Sequence, residues 1–178
     1  YIETQKRHLD DLYAFLHREL GIIAPISGTN QLQGPANVLH SKDLDYIDDH
    51  SYWDHPRFPG AAWDASNWLI NNLPMVKNPQ FPALANMFSG LRLADKPYTI
   101  SEYNHAAPNR FRTEMPSSFT AYASLHGCDG VMFFDYNSEN EWETDKSSSY
   151  FSLHRDNSIM GLFPACAFAF RNNLVAED

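Results

Sequence analysis

Four short runs of apolar, β-branched or aromatic residues, set apart by helical patterns or polar connections, constrain the fold of this chain more than any other feature. They lie at residues 22–26 (Ile-Ile-Ala-Pro-Ile), 45–50 (Asp-Tyr-Ile-Asp-Asp-His), 98–102 (Tyr-Thr-Ile-Ser-Glu) and 131–134 (Val-Met-Phe-Phe). Between them, helical periodicity predicts helices over 3–20, with Leu9, Leu12, Tyr13, Leu16 and Leu20 on one face and Gly21 as the stop. A weaker helix is expected near 35–42, and a second strong one over 81–93 with Phe81, Leu84, Met87, Phe88 and Leu91 on its apolar face. Further helices are expected over 115–126, with Pro116 near the start, and over 157–171, broken or kinked at Pro164. Residues 57–80 read as a long loop with one short helical piece near 64–71, and 137–155 as a polar loop. Apolar strands that alternate with helices predict an α/β domain with a parallel sheet.

The polar residues are not scattered evenly over this pattern. Each run ends in a polar or aromatic cluster: Thr29-Asn30, then His50, Tyr52 and Trp53, then Glu102, Asn104 and His105, then Asp135-Tyr136. Parallel α/β folds place their sites at the carboxyl ends of strands, so the four clusters are expected to converge on one pocket. The third run is the most specific. Pro97 stands at its first position, where a missing N–H is tolerated, and Tyr98, Thr99 and Ile100 suit a packed, pleated surface. An isolated acid, Glu102, follows at the strand tip. Its competing reading is a surface carboxylate after a strand.

Composition narrows the classes. The chain has 178 residues, 43 % of them hydrophobic and 20 % charged, which fits one globular domain spanning 1–178 and excludes a disordered chain. The net charge of −9, with no basic stripe, argues against a nucleic-acid partner. No apolar run is long enough to span a membrane. Cys128 and Cys166 sit in apolar settings and read as buried free thiols, not as a disulfide framework. His126 and His154 read as structural and His8 and His17 as solvated, while Glu114 is a candidate cap for the helix that holds Pro116. Asp49-His50 and Asp54-His55 offer the residue types of a metal site, but their spacing matches no tight ligand motif. The chain opens at Tyr1 directly on a helical pattern, and the expectation is a piece of a longer protein.

The run Ile100-Ser-Glu-Tyr-Asn104 after Lys96-Pro97, followed by Cys128-Asp-Gly-Val-Met-Phe-Phe-Asp-Tyr136, resembles strands seven and eight of glycoside hydrolase clan A. The stretch from Asp45 through Asp49-His-Ser-Tyr-Trp53 resembles strand six of the same barrels, and residues 22–31 would then hold strand five. The resemblance, strongest to cellulase-like, family-five-type retaining enzymes, implies the carboxyl-terminal half of a (β/α)8 barrel that cleaves a poly- or oligosaccharide. It implies Glu102 as the nucleophile, Tyr52 as a hydrogen-bond donor to it, and His50, Trp53, Asn104 and Tyr136 as the lining of the sugar subsite, with Trp53 or Trp142 stacking on a sugar face. Asn30 and His105 complete the expected binding set.

Retaining hydrolysis needs a second carboxyl group about 5 Å from the first, as acid/base. In the clan that residue is a Glu after an Asn on strand four, which would precede residue 1. The Asn140-Glu141 pair lies after the last strand, in a loop. No cofactor is expected. The partners expected are the carbohydrate and either a missing amino-terminal half barrel or a second copy of the chain, and the substrate class places the protein outside the cytoplasm or in the medium. Two other readings remain at this point: a non-catalytic carbohydrate-binding barrel remnant, and a metal-dependent hydrolase.

Overall fold

A parallel sheet runs through the chain in sequence order: β1 (Ile47–Trp53), β2 (Tyr98–His105) and β3 (Gly130–Phe133), with β2 in the middle. The computed structural model describes all residues except 31–33, 79–83, 85–87, 89–90, 139, 141, 144, 146–148 and 178. Around the sheet lie α1 (Ile2–Arg18), α2 (Pro35–His40), α3 (Glu114–Leu125), α4 (Asn157–Met160) and α5 (Phe163–Arg171). The molecule is therefore α/β with an open parallel sheet, compatible with part of an α/β barrel. No described helix is long and apolar enough to cross a membrane.

The two faces of the sheet differ in chemistry. Ile47 and Trp53 of β1, Tyr98, Ile100, Tyr103 and His105 of β2, and Val131 and Phe133 of β3 point to the helical side, where most of them join the core. Met115, Phe119 and Ala123, spaced four apart on α3, pack there, and the Phe119 ring stacks on Tyr103 at 4.0 Å. The other face carries Asp48, His50 and Tyr52 of β1 and Thr99, Ser101, Glu102 and Asn104 of β2. Strict alternation would not put Ser101 and Glu102 on one face. Opposite the single step from Asp49 to His50, β2 advances from Ile100 to Glu102, and Ser101 is the inserted residue of a β-bulge. Tyr103 then returns to the core.

The expected first strand is not formed. Only Ser27 pairs, as a parallel bridge with Tyr46 beside β1. Pro25 has no N–H, and the Ile26 N–H is taken by the Asp45 carboxylate at 2.8 Å, so the ladder has little to build on. The expected helix near 64–71 is also absent. The Asp64 carboxylate accepts from the Ser66 amide at 2.9 Å, a local bond that competes with helix, and Arg57 and Leu69 exchange backbone hydrogen bonds of 2.8 and 2.9 Å instead. The expected helix over 81–93 falls mostly outside the described residues, Phe81 and Met87 among them. Leu84 and Phe88, four apart, are helical and buried. The helical stretch over 157–171, expected to break or kink at Pro164, is broken into two, with Pro164 in the first turn of α5, where its missing N–H costs nothing.

Gly21 ends α1 with φ +66°, the left-handed turn that lets the Ile22 N–H reach back to Leu16 O at 3.0 Å. Glu114 does not cap its own helix; its carboxylate accepts from the amides of Met75 at 2.7 Å and Val76 at 3.0 Å and ties the long loop to α3. Both cysteines are free thiols.

Candidate active site

Glu102 lies over the polar face of the sheet, its side chain 31 % exposed. The bulge at Ser101 delivers it there, next to the bulged residue's own hydroxyl. The phenol of Tyr52 donates to Glu102 Oε2. Burial first, then this bond and the Glu102 charge, push the Tyr52 phenol well above its ordinary range, so it stays a donor. Nδ1 of His50 sits 3.3 Å from the same Oε2. On its far side, His50 Nε2 is 2.6 Å from Ser101 Oγ, which donates to Asp48 Oδ2. Thr99 Oγ1 donates to Asp48 Oδ1 at 2.5 Å. A continuous polar chain, Asp48–Ser101–His50–Glu102–Tyr52, thus crosses the β1–β2 pair. Asp48, Thr99 and Ser101 were not legible as site residues from motif position. The signal was present in the phase of β2, where apolar residues at 98 and 100 are followed by one at 103 instead of 102.

The other expected residues separate into three groups. Asn104 is buried on the Glu102 face, and its amide nitrogen donates to the carbonyls of Phe134 and Phe151, which fixes the loop after β3 over the strand tip. Trp53 and His105 are on the opposite, helical face, which corrects their assignment to the sugar subsite. Trp53 is 8 % exposed, with its indole N–H donating to Leu73 O at 2.9 Å, and the buried His105 ring meets the Tyr103 hydroxyl at 3.1 Å. Alternation along β1 and β2 forces both residues inward. Tyr136 and Trp142 are half exposed and form a cluster of their own with His154, with ring centroids 5.3–5.9 Å apart. Among the described residues no hydrogen bond or ring contact joins that cluster, or the exposed Asn30, to Glu102. Glu141 lies outside the described residues.

A row of rings leads away from Glu102 instead. Tyr52 contacts Phe151 at 4.6 Å and His55 at 5.8 Å, His55 contacts Trp63 at 5.6 Å, and Phe58 contacts Trp63 at 5.3 Å. Trp63 stands at the tip of the loop closed by Arg57 and Leu69, is 65 % exposed and has φ +64°. The loop's base is clamped by Asp54, whose carboxylate accepts from the amides of Asn71 and Asn72, both at 2.7 Å, and from Asn109 Nδ2 at 2.8 Å.

The carboxylates that a metal reading would need are engaged elsewhere. Asp54 holds the loop, Asp49 accepts its neighbour's amide at 2.9 Å, and His55 Nδ1 meets Pro56 O at 2.8 Å. Among the described residues no cluster of three or more His, Cys, Asp or Glu side chains could hold a metal ion. His17, expected in solvent, is half-buried against Tyr13, 3.7 Å from the Asp45 carboxylate. Comparison with protein families, with curated proteins and with solved structures finds no match for this chain.

Chemically, the site offers a half-buried carboxylate that accepts from a phenol, with an imidazole 3.3 Å away, at the carboxyl ends of parallel strands beside an aromatic rim. A carboxylate so placed can act as a nucleophile or as an acceptor for a hydroxyl-rich ligand.

Proposed function

We propose that this chain is the carboxyl-terminal half of a (β/α)8 retaining O-glycoside hydrolase of the cellulase-like, clan A type, acting on a poly- or oligosaccharide with Glu102 as nucleophile. The observation that carries the reading is the pair of contacts on one oxygen, the Tyr52 phenol and His50 Nδ1 on Glu102 Oε2, at the end of the central strand. Attack at an anomeric carbon needs an oriented carboxylate, and the Tyr52 hydrogen bond orients this one. The row of rings from the half-buried Tyr52, His55 and Phe58 to the exposed Trp63 supplies the apolar, polar-rimmed surface that a pyranose face takes.

The acid/base is proposed to come from a strand preceding residue 1. The half-barrel reading also accounts for what the sheet leaves uncovered. Barrel interiors are filled by side chains from all strands. Here a cavity of about 610 Å³ opens beside the starts of β1 and β2, lined by Asp48, Thr99, Ser101 and Met132 of the polar face and by Ile23, which is 97 % exposed. A preceding half barrel, or a second copy, would fill it. Light scattering on this chain checks this: association is expected, and a well-behaved monomer with no partner counts against it.

Replacing Glu102 with Gln in the full-length protein is expected to abolish turnover while sugar binding survives. Intact turnover overturns the assignment. A non-catalytic carbohydrate-binding barrel is the second reading, favoured because the other carboxylate of the polar chain, Asp48, is buried and held by the Thr99 and Ser101 hydroxyls, which leaves Glu102 as the one accessible there among the described residues. It predicts sugar binding with no hydrolysis in the full-length protein. The substrate class places the protein outside the cytoplasm.

A further inference from the structure

Ser101, the inserted residue of the bulge, has one hydroxyl hydrogen and two polar neighbours. Asp48 Oδ2, a carboxylate oxygen, can only accept, and the hydroxyl donates to it. His50 Nε2 lies 2.6 Å from the same Oγ. With the hydroxyl hydrogen committed to Asp48, that second contact is a hydrogen bond only if Nε2 carries a proton and donates. A neutral ring protonated at Nε2 satisfies both contacts and leaves Nδ1 as a bare acceptor. Asp48 is fixed in this role from its other side: it is buried, and Thr99 Oγ1 donates to its Oδ1 at 2.5 Å. The relay therefore runs one way, from His50 through Ser101 to Asp48.

We propose that Asp48 and Ser101 are positioning residues that lock His50 in the Nε2–H tautomer and so present Nδ1 as a hydrogen-bond acceptor beside Glu102. Among the described residues no hydrogen bond engages Nδ1, and it is not one of the buried polar atoms that lack a partner, so it is open to solvent. The nearest carboxylate oxygen, Glu102 Oε2 at 3.3 Å, is itself an acceptor and is served by the Tyr52 phenol. A group that docks between them must bring its own hydrogen. A hydroxyl does, and an ether oxygen in its place does not. A site built to hydrogen-bond a hydroxyl rejects the analogue that lacks it far more strongly than an apolar pocket can. This selection rests on the reading of the site as one for a hydroxyl-rich sugar. The tautomer does not.

The test is nitrogen-15 NMR of the histidine rings in this chain at about pH 8, above the ordinary histidine range, with the His50 signals assigned by their loss in His50→Gln. The wild-type ring is expected to show a protonated Nε2 and a bare Nδ1. Asp48→Asn reverses the relay. With Thr99 still donating to the remaining oxygen, the new amide nitrogen donates to Ser101 Oγ, whose hydrogen turns to Nε2. The ring should then move its proton to Nδ1. A wild-type ring with a bare Nε2, or with protons on both nitrogens, overturns the proposal whether or not the variant folds. So does a folded variant that keeps the wild-type tautomer, which is what a merely structural role for Asp48 predicts. If both tautomers appear as expected and the full-length protein cleaves no glycoside, the positioning assignment stands and the hydrolase reading falls. If glycosides are cleaved and the tautomers do not appear, the reverse holds.

Discussion

The phenolic O–H of Tyr52 donates to Oε2 of Glu102 across the β1–β2 pair, while the Tyr52 ring packs on Phe151 at 4.6 Å. The two roles are separable. Tyr52→Phe keeps the packing and deletes the donor. A hydrogen bond to a charged group contributes about 1.5–3 kcal/mol. kcat/KM of the full-length protein should therefore fall about 10- to 100-fold. Because burial and Glu102 hold the phenol above its ordinary range, the deficit should be constant from weakly acidic to weakly alkaline pH. An unchanged kcat/KM would remove Tyr52 from the site.

Asp54 holds the base of the aromatic loop with a backbone φ of +54° and three accepted hydrogen bonds. One donor is the amide of the fully buried Asn109, which also donates to Leu73 O at 3.0 Å. Asp54→Ala leaves two backbone amides and part of that amide without partners. Stranding a buried polar group costs about 1–3 kcal/mol. A lowered urea midpoint with an unchanged denaturant slope, equivalent to a loss of stability within that range, is the expected result. Asp54→Asn, which keeps the acceptor oxygen, should lose less.

How much of this was legible beforehand divides along one physical line. The order of strands and the polar cluster at the end of each followed from hydrophobic patterning, which is local. Glu102 at its strand tip came with it, while Tyr52 as its donor came only from the resemblance. Trp53 and His105 were misplaced because nearness to the strand tip was used where alternation decides: each is an odd step from its neighbour in the site, and period two turns it to the helices. Asp48 and Ser101 were missed for the complementary reason. A bulge breaks the alternation at Ser101, and its effect depends on pairing with a strand about 50 residues earlier. The segment at 22–26 is apolar enough for a strand, but a ladder needs a partner for every N–H, and Pro25 and the Asp45 carboxylate remove two.

His105 gives the fold a pH dependence of definite sign. Burial pushes its imidazole down to about 3, against the opposing pull of the Asp54 charge. In the unfolded chain the group titrates near 6.5. Between those values the unfolded state binds a proton that the folded state refuses, so stability falls as pH drops through the window from about 6.5 toward 3, by up to about 1.4 kcal/mol per pH unit. Above that window His105 contributes no slope. His40, shifted down by burial, adds in the same direction. Urea unfolding between pH 7 and about pH 4.5 should show this loss, and His105→Gln should flatten it. An equal slope in the variant would assign the acid sensitivity to other groups.

Trp63 is the residue whose conformation argues hardest for a ligand. A bulky side chain at φ +64° is an outlier that costs about 1 kcal/mol, and here it holds an indole 65 % exposed at a loop tip. Neither strain nor exposure helps the fold. Strained backbone of this kind persists where the surrounding structure imposes it, commonly at binding sites. Trp63→Gly separates the two effects, because glycine takes the left-handed turn without penalty. The relief should offset the lost ring contacts with His55 and Phe58, leaving stability within about 1 kcal/mol of the parent. If the indole stacks on sugar rings, an aromatic contact of about 0.5–1.5 kcal/mol is lost, and retardation of the full-length protein in a polysaccharide gel should weaken about 2- to 10-fold. A variant that is less stable by several kcal/mol yet binds polysaccharide as well as the parent would make Trp63 a packing residue and confine the sugar surface to Tyr52 and its immediate neighbours.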